Sequence, residues 1–137
     1  MRFAVLLLVA AGALTAAPVP KDMKAKKGDA ALLVGRWKPS DGTTQWYEFK
    51  ADGTMKTWNE PGEANAVPYL WTIDPTAKPK RMTWSNAKSG RAEWEAVYEL
   101  DGDDLKMTYA ATPKVPPAIG PGPGLFVNGQ TRANSDR

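Results

Sequence analysis

The sequence predicts an all-β chain, a sandwich or barrel of about seven antiparallel strands. Three observations carry that reading. Between Gly35 and Ala110, short runs of alternating polar and apolar residues recur about every ten to twelve positions. Pairs and triplets with turn chemistry separate them. Nowhere in this stretch do apolar residues recur with the 3.6-residue period of a helix. Size and composition agree: 137 residues, 42% hydrophobic and 24% charged, make one ordinary globular core.

At the N-terminus, Met1-Arg2 is positive, Phe3 to Ala11 is almost wholly apolar, and Gly12 to Ala17 is rich in small residues. That order reads as a secretory signal peptide, residues 1–16, with an apolar run shorter than the roughly 20 residues of a membrane span. The mature protein is therefore expected outside the cytoplasm, periplasmic or secreted, with no transmembrane segment after signal removal. Residues 17–31 continue as a Lys-rich linker and a short helical turn over Ala30–Val34, with Asp29 as its cap.

The barrel or sandwich proper is placed at 32–111. Its strand runs are Val34–Lys38, Thr44–Lys50, Thr54–Asn59, Val67–Ile73, Arg81–Ser85, Ala92–Leu100 and Leu105–Ala110. Between them stand Ser40-Asp41-Gly42, Asp52-Gly53, Glu60-Pro61-Gly62, Asp74-Pro75, Ser89-Gly90 and Asp101-Gly102. In these, Pro presets φ, Gly admits positive φ, and Asp bonds the local backbone. A period of two assigns the faces. Tyr47 and Phe49 share a side, as do Val67, Tyr69, Trp71 and Ile73; Met82 and Trp84; Trp94, Ala96, Tyr98 and Leu100; and Leu105, Met107 and Tyr109. Glu93, Glu95, Glu99, Lys106 and Thr108 fall on the opposite, outward side.

Hairpin register can be tested on paper. A three-residue loop at Ala51-Asp52-Gly53 pairs Phe49 with Met55, Tyr47 with Thr57, Glu48 with Lys56 and Trp46 with Trp58. One register thus yields an apolar pair, an ion pair and an aromatic pair. For the last hairpin, a two-residue Asp101-Gly102 turn pairs Tyr98 with Leu105, Ala96 with Met107 and Trp94 with Tyr109. A longer loop keeps the same faces, so that register stays open. Residues 112–137 form a tail. Pro113, Pro116, Pro117, Pro121 and Pro123 exclude a helix or central strand there. The apolar island Leu125-Phe126-Val127 leaves room for one last strand, and Asn128-Gly129 reads as a turn.

Gly35-x-Trp37 opening the first strand, followed by antiparallel strands, resembles the lipocalin-like barrels. Further residues carry a closer resemblance: Leu33-x-Gly35-x-Trp37, Phe49-x-x-Asp52-Gly53, Ile73-Asp74-Pro75-x-Ala77-Lys78-Pro79-Lys80 and Tyr98-Glu99-Leu100-Asp101-Gly102-Asp103-x-Leu105-Lys106-Met107. They resemble a family of small secreted lipocalin-like domains of planctomycete bacteria. The resemblance implies a single antiparallel up-and-down barrel of about 7–8 strands, with Trp37 plugging one end. It also implies a last-strand basic residue stacked on that tryptophan, for which Arg132 has suitable placement. It implies no activity.

Composition excludes more chemistry than it suggests. With no cysteine and no histidine there are no disulfides, thiolates, Ser–His pairs or zinc sites of the usual kind. Ser85 and Ser89 lack a histidine to activate them. The carboxylates Glu93, Glu95 and Glu99 lie on one strand face and read as a solvated surface. Asp101-Gly102-Asp103-Asp104 lacks the later ligands of a calcium loop and reads as a turn. No catalytic residue, metal or cofactor is expected. A formal charge of +3, with basic residues spread rather than striped, argues against nucleic acid.

Binding is the expected activity. Tyr47, Phe49, Tyr69, Trp71, Trp84, Trp94, Tyr98 and Tyr109 either line a cavity for a small apolar or amphipathic molecule or fill the barrel themselves. The alternative is an exposed pair, Trp46 and Trp58, acting on envelope polysaccharide or protein. The chain is expected to be a monomer.

Overall fold

The alternating runs each become a strand, and a computed structural model describes them over residues 28–133. The predicted signal peptide, 1–16, and linker residues 17–27 lie outside the described residues. A short helix α1 (Asp29–Leu33) leads into β1 (Gly35–Pro39), β2 (Gln45–Phe49), β3 (Thr54–Asn59) and, after a 3-10 turn at Glu63–Asn65, β4 (Val67–Asp74). Then come β5 (Arg81–Asn86), β6 (Ala92–Asp101), β7 (Asp104–Ala111) and β8 (Phe126–Arg132). Every strand pairs antiparallel with the next, and β8 pairs with β1, so the sheet closes into an eight-stranded up-and-down barrel. Closure leaves no edge strand to be protected.

The inward phase is the apolar one. Leu33, Trp37, Tyr47, Phe49, Met82, Trp84, Tyr98, Leu105 and Met107 are all at most 2% exposed and form one cluster. The β2–β3 hairpin has the predicted register throughout, Phe49 opposite Met55, Glu48 opposite Lys56 and Trp46 opposite Trp58. In its loop, Asp52 accepts from the Thr54 amide and hydroxyl, 2.9 and 2.6 Å.

Two open points are decided and two expectations are corrected. First, the last strand for which the tail left room is present: β8 lies beyond 111 and closes the barrel. Its inward residues are Phe126, Asn128, Gln130 and Arg132, too polar to show as an apolar stripe. Second, Asn128-Gly129 is not a turn but the middle of β8. A side chain at Gly129 would come within 3.2 Å of Asp41 and Ser40, and the Gly129 amide donates to Asp41 Oδ2 at 2.7 Å. Glycine is there for close approach. Third, the β6–β7 register left open is decided, two residues from the Asp101-Gly102 alternative. Asp101 faces Asp104 across a Gly102-Asp103 turn, so Tyr98 pairs with Met107, Ala96 with Tyr109 and Trp94 with Ala111. Fourth, Asp29 is the first residue of α1 rather than its cap, and its carboxylate accepts instead from Lys80, just before β5, and from Tyr98 of β6.

The up-and-down path gives the barrel two unlike ends. α1 and the three hairpins β2–β3, β4–β5 and β6–β7 gather at one, the closed end. The connections β1–β2, β3–β4, β5–β6 and the Pro/Gly-rich 112–125 gather at the other, the mouth.

Candidate functional site

The closed end is built by residues that β1, β8 and α1 bring together. Trp37 is fully buried and donates its indole N–H to the Leu33 carbonyl at 2.8 Å. The Arg132 guanidinium lies 4.4 Å above that ring, donates to the Val34 and Leu32 carbonyls, and reaches Asp103 at 2.9 Å. Gly35 makes room for it: its φ is +129°, and a Cβ there would sit 3.1 Å from the guanidinium. Gly35, Trp37 and Arg132 thus meet at this end of the barrel. Beside them Lys80 and the Tyr98 hydroxyl both donate to Asp29 Oδ2 at 2.8 Å, pinning α1 across the end. The bond from Lys80 holds the Asp29 carboxyl below its ordinary range, against its own burial. Burial and the bond to Asp29 push the Tyr98 phenol up. Tyr98 is thus a strut of the plug. An apolar groove of about 520 Å³ runs along α1 past Trp71 and Ile73, with no unpartnered polar atom.

The lower barrel is filled by its own side chains. Tyr47 stacks on Phe49 with centroids 6.2 Å apart, Phe49 meets Trp71 edge-on at 5.2 Å, and Trp71 donates to the Lys50 carbonyl at 3.1 Å. Of the eight residues expected to line a cavity, Tyr47, Phe49, Trp71 and Tyr98 are packing residues of this depth. An eight-stranded barrel is just wide enough for side chains to do this.

The other four come together at the mouth. Trp84 touches Tyr69 at 6.3 Å and Tyr109 at 5.1 Å, and Trp94 meets Tyr109 at 5.5 Å. Phe126 of β8 completes the set, stacked on Tyr109 at 5.2 Å and edge-on to Trp94 at 5.9 Å. Phe126 is 51% exposed and Val67, in the same inward phase, 48%. Tyr69 and Trp94 are half-buried.

Beneath these rings lies a buried amide layer. Gln45 Oε1 accepts from the Tyr109 hydroxyl at 2.9 Å and from Asn128 at 3.1 Å, and Gln45 Nε2 donates to Thr57 at 2.9 Å. Asn128 also donates to the Tyr47 hydroxyl, and Gln130 donates to the Gln45 carbonyl at 3.1 Å. Burial pushes the Tyr47 and Tyr109 phenols up, so both stay neutral, Tyr109 donating to Gln45 and Tyr47 accepting from Asn128. Among the described residues, two side-chain polar atoms of the barrel interior remain without partners, the indole N–H of Trp84 and Oε1 of Gln130. Unpaired buried polar groups are costly and uncommon. Gln45, Asn128, Gln130 and Phe126 were missed as site residues in the sequence. Only Phe126 left a signal, the apolar island at Leu125–Val127.

On the outer face, Trp46 and Trp58 stack as the register requires, 5.9 Å apart and 17° from parallel. The pair is less exposed than expected: Trp58 is 6% exposed and Trp46 half-buried, because the 60–65 segment folds over β3. The outward carboxylates of β6 are engaged as well, Glu95 by the Thr83 hydroxyl and Glu93 by the Asn86 amide, both at 2.9 Å. Among the described residues no three acidic side chains gather where a metal ion could sit. Comparison with protein-family models, with curated proteins and with solved structures finds no match for the chain.

Proposed function

We propose that this is an exported, non-catalytic binding domain of lipocalin-like type, which holds a small amphipathic molecule at the mouth of the barrel. The observation that carries the reading is the ring set Tyr69, Trp84, Trp94, Tyr109 and Phe126, in which Phe126 is exposed, Tyr69 and Trp94 are half-buried, and the interior beneath holds an unpartnered donor and acceptor. An apolar or planar group rests against Phe126, Trp94 and Tyr69, and a polar group turned inward meets the Trp84 indole N–H or the amide layer. Every side chain of that set is uncharged, which favours a ligand whose inserted part is neutral. The packed lower half restricts the ligand to the upper barrel. Absence of His and Cys from the sequence, and the engagement of Glu93 and Glu95, support a binding rather than a chemical role.

The test is native mass spectrometry of the mature protein purified gently from its own cell envelope. A reproducible extra mass that disappears on denaturation is expected. Trp94→Ala or Tyr69→Ala should weaken retention of that molecule at least about tenfold, since aromatic contacts contribute about 1 kcal/mol beyond area burial. Trp46→Ala should leave it unchanged. A bare mass that does not shift after incubation with fatty acids, isoprenoids and haem would overturn the reading.

A further inference from the structure

The outward face of β1–β3 carries a feature the mouth does not use. Antiparallel register sets Arg36, Glu48 and Lys56 in one row and Trp46 and Trp58 in the next. Trp58 is spent on structure: Arg36 lies 5.6 Å and Lys56 5.4 Å from its ring centroid, and Trp46 backs onto it. Trp46 keeps part of its surface free, while its indole N–H is buried without a partner. It opens on a groove of about 350 Å³ walled by Arg36, Trp58, Glu60, Pro61 and Glu63. That volume is at the small end for ligand sites.

We propose that this groove binds a neutral, hydroxyl-rich glycan chain, one pyranose unit of which lies on Trp46. The slightly positive C–H edges of a sugar face suit the negative face of an indole ring, and the stack on Trp58 holds that ring rigid. Four of the charges beside it are already paired, Arg36 with Glu48 at 2.6 Å and Glu63 at 2.7 Å, and Lys56 with Glu63 at 3.1 Å. The bond from Glu48 holds the Arg36 guanidinium charged, and Lys56 and Arg36 together hold Glu63 ionised. The charge left over is the exposed Glu60 carboxylate, which disfavours an anionic ligand, and each carboxylate keeps lone pairs for sugar hydroxyls. A protein partner fits less well. Stable protein interfaces bury roughly 1,000 Å² or more, and the exposed large apolar residues Leu32, Val67, Phe126 and Val127 belong to α1, the mouth rim and β8, not to this groove.

Affinity electrophoresis of the full chain through gels containing hydroxyethylcellulose, glucomannan, arabinoxylan or laminarin tests this, with polygalacturonate as the charged control. Retardation is expected in at least one neutral gel and not with polygalacturonate. Trp46→Ala should weaken it at least about tenfold, with circular dichroism unchanged, and Trp46→Phe should restore part of it. Trp94→Ala should leave it intact, which separates this site from the mouth. The proposal is overturned if no neutral polymer retards the protein, if only polygalacturonate does, or if Trp46→Ala binds as well as the parent. Loss of binding in Trp94→Ala would place the glycan at the mouth. Self-association abolished by Trp46→Ala would assign the groove to a second copy of the chain. Either of these also overturns it.

Discussion

Arg132 shows how much one side chain can do at the end of a barrel. Its guanidinium covers Trp37, donates to two carbonyls just before β1 and reaches Asp103. Arg132→Ala removes the cation–π contact and strands those carbonyls, so a loss of about 2–3 kcal/mol is expected in urea unfolding. Arg132→Lys should recover only part of it, because an ammonium lacks the planar fork. Gly35→Ala should cost about 1–3 kcal/mol, since φ of +129° strains any L side chain and the new Cβ would press on Arg132. Gly35-x-Trp37 was readable in the sequence as a motif. Its partner lies almost a hundred residues away, beyond a proline-rich loop, so spacing alone could not join them.

Among the elements, the β2–β3 hairpin and β8 sit at opposite limits of what a sequence reveals. The hairpin has a short loop, and its partners are close in sequence and complementary in type, so one register satisfied every pair. β8 has neither advantage. Its interior residues Asn128 and Gln130 bond to Gln45, Tyr47 and Tyr109, partners that appear only after closure. Inward polar residues then look like a turn or tail. Asn128→Leu would keep the volume and abolish those bonds, leaving Tyr47 and Gln45 short of a partner. A fall of about 2 kcal/mol is expected, read as a lower urea midpoint with an unchanged slope. The β6–β7 hairpin lies between these limits: its faces were readable, but two turn lengths fit the same alternation.

The whole molecule should show a flat stability profile between about pH 5 and pH 9, with no histidine to titrate there. Asp29, Asp41, Asp52, Asp74 and Glu63 all ionise below their ordinary values. Below the ordinary carboxylate range the unfolded chain therefore binds more protons than the native one, and stability falls as pH drops. Tyr47, Tyr98 and Tyr109 ionise above their ordinary value of 10, so stability also falls as pH rises through it. Urea midpoints measured across pH should trace both limbs. Asp29→Asn should lower the plateau by about 1 kcal/mol and make the acid limb shallower. By itself the sequence determined an all-β chain, most of its turns, the inward phase of β2–β7 and one complete hairpin register, because these depend on local geometry and a period of two. Only the tertiary structure decided that β8 closes the barrel, that aromatic side chains fill its lower half and open at the mouth, and that Trp58 is covered. Those outcomes depend on contacts between residues far apart in the chain, and on how much volume the rings occupy once the sheet has curled shut.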